Sequence, residues 1–202
     1  MSFELLNQGG VVLWVIVVSG IVAFGVFVER SLHLHRARIR FEDFLKGIFN
    51  ILRKNNITEA LAICAETPGP VAHIVETAIR HRQAAKEDLR QEIERASLAE
   101  ISRMERRLVV VATVAQIAPL LGLLGTVLGM VESLLVLQQA VQIVPTTEVI
   151  AGLMKAMLTT AAGLTVAIPC YAAFNLLVVK IDRIVLDMEY AGAEIMAFLV
   201  NG

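Results

Sequence analysis

Residues 155–180, "KAMLTTAAGLTVAIPCYAAFNLLVVK", place an uncharged run from 156 to 179 between two lysines. At a rise of ~1.5 Å per residue, a helix over that run reaches about 36 Å, more than a hydrocarbon core of roughly 30 Å. Leu5–Val28 and Leu108–Val131 are uncharged over the same length. Three membrane crossings are therefore expected, in a chain that is 56% hydrophobic with a mean hydropathy of +0.69. A segment that had only to cross could be all Leu and Val. The Thr159-Thr160 pair, Gly163 and the flanking Lys155 ask for a further reason.

The basic residues fix an orientation. Of 18 Lys and Arg, 15 lie between positions 30 and 107, two (Lys180 and Arg183) follow the third run, and the last is Lys155. The positive-inside rule then puts the N-terminus outside and the C-terminus inside. The expected plan is 1–29, an outer end plus first crossing; 30–107, a cytoplasmic helical region; 108–137, the second crossing; 138–147, an outer loop; 148–181, the third crossing; and 182–202, a cytoplasmic C-terminal helix. A cleaved signal peptide would carry positive charge ahead of its apolar segment, whereas only Glu4 precedes the first run, so that run reads as an uncleaved anchor. The net charge of −1, without a basic stripe and interleaved aromatics, points to no nucleic-acid partner. Cys64 and Cys170 lack any metal-ligand spacing and read as small buried residues. His33 and His35, two apart, point away from each other on a helix, which argues against a metal site. No cofactor motif or catalytic set is present, so no enzyme is expected.

In the cytoplasmic part, "ERSLHLHRARIRFEDF" (29–44) continues the first crossing, its cations read as a topology signal in contact with lipid headgroups. Residues 55–82 read as two short helices around the Pro68-Gly69-Pro70 turn, the first capped by Asn55 or Asn56. From Lys86 a narrow stripe of Leu89, Ile93, Ser97, Ile101, Met104 and Leu108, free of Gly and Pro as far as Pro119, predicts one long helix running straight into the second crossing.

The second and third crossings carry small residues every three or four positions: Ala118, Gly122, Gly125 or Thr126, Gly129 and Ser133 on one, Gly152, Ala156, Thr159 or Thr160, Gly163 and Ala167 on the other. Such faces let helix backbones approach in lipid. Gly122, Gly125, Gly129 and Gly163, with Pro119 and Pro169, are the expected packing residues. If the two crossings form an antiparallel hairpin, Thr126 lies 19 residues from Arg107 and Thr160 lies 20 from Lys180, one common depth. Glu132 and Lys155 are each 25 residues from the same cations and should face each other. A Thr hydroxyl can satisfy itself on the carbonyl one turn back, and Lys155 can reach outer headgroups. The alternatives at these five positions (Thr126, Glu132, Lys155, Thr159, Thr160) are a polar ion pathway or ordinary packing with a rim ion pair.

"APLLGLLGTVLGM" (118–130), "AGLMKAMLTTAAGLTVAIP" (151–169) and "YAAFN" (171–175) resemble the ExbB/TolQ/MotA proton-channel family, and within it the ExbB/TolQ branch. The resemblance covers the whole three-crossing plan. It implies an all-α membrane protein whose homo-oligomer, a pentamer, surrounds a single-span ExbD/TolR-like partner carrying a membrane aspartate. It further implies force passed to a TonB/TolA-like protein, at the cell inner membrane, driven by proton flow. Thr126 matches the threonine of the family's second-crossing GTV motif, Thr160 the third-crossing threonine, Pro119 the motif-opening proline, and Asn175 the asparagine near the end of the third crossing. The family's third-crossing glutamate falls on Lys155 here, which makes Glu132 a replacement carboxylate or a counter-ion. A TolQ-like subunit and a non-conducting scaffold are the competing readings.

Overall fold

The computed structural model describes residues 10–37, 41–139 and 146–201, all but their linking turns helical. Seven helices follow one another among the described residues: α1 (Gly10–Ala37), α2 (Phe41–Arg53), α3 (Ile57–Glu66), α4 (Pro70–Arg80), α5 (Lys86–Glu105), α6 (Leu108–Gln139) and α7 (Thr146–Asn201). Three stretches are long and apolar enough to cross a membrane, Gly10–Leu32, Leu108–Gln138 and Thr146–Val200. The outer end expected at 1–9, positions 140–145 of the expected outer loop, and the side chains of His33 and His35 lie outside the described residues.

The chain divides into two compact units, one of residues 1–28 and 108–175, the other of residues 29–107 and 176–202. In the first unit the buried positions of α6 run Val111, Ala115, Ala118, Gly122, Gly125, Gly129 and Ser133, and those of α7 run Gly152, Ala156, Thr159, Gly163, Ala167 and Cys170. Alternating steps of three and four keep one stripe of each helix on its neighbour. Ala23 of α1 meets Val111 and Ala115 of α6 and Cys170 of α7 in a shared core, with Val26, Val114, Val166, Ala173 and Phe174 around it. Outward, Val11, Phe24, Leu120, Leu134 and Ile168 are exposed, as suits helices whose solvent is lipid or further copies of the chain. Pro119 and Pro169 sit inside α6 and α7, which continue through them. In membrane helices, neighbouring groups can re-satisfy the carbonyls that a proline releases.

In the second unit, α3 and α4 form the expected pair around the 67–69 turn. Pro70 occupies the first turn of α4, where its missing N–H is of no consequence. Asn56 caps α3 by position, but its side-chain nitrogen donates to Glu59 Oε2 at 2.6 Å rather than closing on the backbone. Ile74, Val75, Ala78 and Ile79 of α4 are fully buried, with Leu89 of α5 and Ile181, Ile184, Met188 and Ile195 of α7. Helix α2 lies on the last turns of α7 through Phe49 stacked on Phe198, ring centroids 4.8 Å apart, and Phe41 edge-on to Tyr190. Both cysteines are free and buried, as expected.

One reading needs correction. The long helix expected from Lys86 is interrupted at Arg106 and Arg107. Arg106 keeps right-handed helical angles (φ −51°, ψ −34°) and its N–H still reaches Ser102 O, so α5 closes on a helical residue. The physical setting is a pair of adjacent cations, of which Arg107 is drawn to Glu29 of α1. Propensity alone could not reveal that partner, 78 residues away. Arg30, one of the cations read as a topology signal, is buried in this unit. It is only 7% exposed.

Candidate functional site

The five polar candidates all lie on α6 and α7, and close backbone approach is what brings them together. A Cβ on Gly163 would stand 2.6 Å from Ala118 O and 3.1 Å from Gly122 Cα. One on Gly129 would stand 2.6 Å from Gly152 O and 2.9 Å from Ala156 Cβ. One on Gly125 would collide with the Thr159 side chain. The helices therefore touch through Gly122, Gly125, Gly129 and Gly163 because those positions have no side chain, the small-residue logic of helix pairs in lipid. Pro119 is half-buried beside this seam, and Pro169 is exposed.

The threonines divide by burial. Thr159 is 1% exposed and donates to Ala156 O at 2.8 Å, locked in the seam opposite Gly125. Thr160 is half-buried and reaches across: its hydroxyl lies 3.3 Å from Gly122 O on α6 and 3.4 Å from Ala156 O on its own helix. Thr126, also half-buried, donates to Leu123 O at 2.6 Å. A hydroxyl donating to a carbonyl keeps its oxygen lone pairs as acceptors. Thr126 and Thr160 thus each keep a hydroxyl oxygen as acceptor, Thr126 one turn beyond the Gly122 carbonyl that Thr160 approaches.

Further toward the C-terminal end of α6, Lys155 Nζ donates to both oxygens of Glu132 at 2.7 and 2.8 Å, as the counting of depths requires. Neither partner is deeply buried; the lysine side chain is 27% exposed and the glutamate 52%. The ammonium also lies against the start of α1, where a Cβ on Gly10 would come within 3.4 Å of Nζ. The pair borders an open cleft of about 500 Å³ whose lining adds Thr147, Glu148 and Met154. Two carboxylates and one ammonium give this cleft a net negative formal charge, a field that gathers cations.

Ser133 was read only as a small residue. Its hydroxyl bonds both Gly129 O at 3.0 Å and Val149 O at 3.1 Å, tying α6 to the first turn of α7. The signal was present in the sequence: Ser133 continues the stripe four positions after Gly129, and a hydroxyl on a helix seam in lipid finds a carbonyl. Among the described residues no cluster of His, Cys, Asp and Glu has the arrangement of a metal site.

Residues 66–190, more than half the chain and including both polar helices' motifs, match the MotA/TolQ/ExbB proton channel family. An ExbB-homologue biopolymer transport protein of Methanothermobacter thermautotrophicus is 27% identical over 206 aligned positions, covering 98% of this chain and 73% of that one. The biopolymer transport protein ExbB of Aquifex aeolicus is 44% identical over 91 residues, 45% of this chain and 61% of its own length. The Tol-Pal system protein TolQ of Haemophilus influenzae is 38% identical over 89 residues, 44% of this chain and 38% of that one.

Proposed function

The chain belongs to the MotA/TolQ/ExbB proton channel family, and from that premise we propose that it is the ExbB-like subunit of a membrane motor coupling proton-motive force to work on the cell envelope. The observation that carries this is the α6/α7 seam: two helices brought to backbone contact by glycines, with half-buried threonine hydroxyls along it and an ion pair at one end. A protonated carboxylic acid needs an acceptor and a carboxylate needs a donor. A hydroxyl that rotates between carbonyl and carboxylate supplies both. Thr126 and Thr160 would serve a partner's aspartate in this way, while Thr159, Gly122, Gly125, Gly129, Gly163 and Pro119 hold the seam that positions them.

In this reading five copies surround a single-span ExbD/TolR-like protein that brings the titrating aspartate, in the inner membrane, with the N-terminus outside and residues 30–107 and 182–202 extending on the cytoplasmic side. The exposed apolar faces of α1 and α6 support assembly with further copies and lipid. Each proton moving down 100 mV releases ~2.3 kcal/mol, which a TonB/TolA-like protein would receive as force. The driving reaction is ion transfer, so no catalytic residue is assigned.

The TolQ match favours a second reading inside the same family, service to envelope integrity rather than import. Co-expression with a single-span ExbD/TolR-like protein from the same organism, extraction in mild detergent and native mass spectrometry test both. A five-to-two complex with an aspartate-bearing partner is expected, and the partner's identity separates the readings. A homo-oligomer that never captures such a partner, and that tolerates Thr126→Val with Thr160→Val without loss of envelope function, would instead mark a non-conducting scaffold.

A further inference from the structure

The second unit holds a cleft of about 590 Å³ between the end of α1, the α3–α4 turn and α5 that ion conduction leaves unused. Arg30 lines it. The α1 stripe Leu13, Ile16, Ala23 carries the arginine inward, for it falls seven residues after Ala23 and four before Leu34, both buried. At 7% exposure its Nη2 has a long bond of 3.5 Å to Arg103 O, and its Nε has no hydrogen-bond partner among the described residues. A buried charged donor without an acceptor is costly.

The carboxylates in the same lining are engaged elsewhere. Glu76 Oε1 accepts from Arg80 Nε at 3.0 Å and Nη2 at 2.7 Å, and Glu100 accepts from Arg103 at 3.1 Å. His73 stands 3.8 Å from Glu76 and 4.0 Å from Glu100. A second feature of opposite origin opens on the same space. Helix α4, 11 residues long, begins there with Gly69 and Pro70 and has no side-chain cap. The first turn of a helix presents backbone N–H groups and the positive end of its dipole, and a guanidinium presents a planar fork suited to two oxygens of one anion.

We propose that this cleft binds a phosphate-class anion, held by the Arg30 guanidinium on one side and the first turn of α4 on the other. The same chemistry reaches the site from two sources, inorganic phosphate in solution or the phosphodiester of a lipid headgroup. The second is within range because Arg30 lies in the final turn of the candidate span Gly10–Leu32.

The test uses the full chain in dodecyl maltoside, a detergent without phosphorus, and follows the unfolding midpoint. Inorganic phosphate, or short-chain phosphatidylglycerol, is added against sodium chloride of matched ionic strength. At saturation a rise of about 5 °C is expected with at least one of them; phosphate alone identifies a soluble source, phosphatidylglycerol alone a headgroup. Arg30→Gln abolishes the rise. Ala65, an exposed residue of the same lining, supplies variants that keep the fold: Ala65→Glu suppresses the rise by repulsion and Ala65→Lys preserves it. No rise with either anion overturns the proposal, as does an undiminished rise in Ala65→Glu, which would locate the anion elsewhere.

Discussion

Lys155 and Glu132 pair at one end of the α6/α7 seam, and under the proposed function, which puts that end at the mouth of an ion pathway, their unequal consequences can be measured. Removing the carboxylate leaves an uncompensated ammonium. At about 6 Å it opposes an entering cation by ~0.7 kcal/mol in water and ~2.8 kcal/mol at an effective dielectric near 20. Glu132→Gln is therefore expected to lower proton flux into liposomes by about threefold to a hundredfold, and Lys155→Gln to leave it unchanged or raise it. Equal losses, or the reverse ranking, would remove the pair from the pathway. Cys64 offers a second residue-scale measurement. Burial first, and the nearby Glu76 carboxylate second, push its thiol from 9.0 up to about 12. The folded state then holds a proton that the unfolded state gives up above about pH 9, so wild type loses stability relative to Cys64→Ala as pH rises from about 9 to about 12. A pH-independent difference between the two would contradict that shift. At this scale the sequence made the Glu132–Lys155 contact readable, because two uninterrupted helices convert residue counts directly into depth. It did not reveal the burial of Arg30. Its basic neighbours marked it as part of a topology signal, and its place on the Ala23–Leu34 stripe accounts for the burial.

Glycines that look alike on paper behave differently once the elements are packed. On α7, Gly163 faces the Ala118 carbonyl so closely that a methyl group must displace backbone, whereas a Cβ on Gly47 of α2 meets nothing within 4 Å. Gly163→Ala is expected to destabilise by about 1 to 3 kcal/mol through overpacking. Gly47→Ala, exposed in a helix interior, should stabilise by about 0.5 to 1 kcal/mol. Unfolding of each variant in detergent decides: a stable Gly163→Ala protein would mean the seam can open at no cost. The seam itself was legible, since small residues three and four apart on two neighbouring crossings have few other uses in lipid. The interruption at Arg106 and Arg107 was not, because no breaker residue marks it and the carboxylate facing Arg107 comes from α1.

Across the whole molecule, one asymmetry organises everything else: 15 of 18 cations lie between positions 30 and 107, and Lys155, the one cation beyond the reach of that side, is neutralised by Glu132. Hydropathy thus gives three candidate spans, and charge an expected orientation, before any packing is known. Packing then decides which polar residues meet, something a linear pattern specifies only along straight helices. The orientation is open to a direct check that the protein's own chemistry keeps free of background. Cys64 is 3% exposed with its thiol held protonated at neutral pH, and Cys170 is buried in the core shared by α1, α6 and α7, so neither should react with a maleimide in intact cells. Thr147 and Lys86 are exposed, one at the start of α7 and the other at the start of α5. Thr147→Cys is expected to react with a membrane-impermeant maleimide added outside the inner membrane, and Lys86→Cys only after that membrane is permeabilised. If Lys86→Cys labels first and Thr147→Cys is protected, the chain lies the other way round. The mouth formed by Glu132, Glu148 and Lys155 would then open toward the cytoplasm, and protons would meet the threonines before they meet the ion pair.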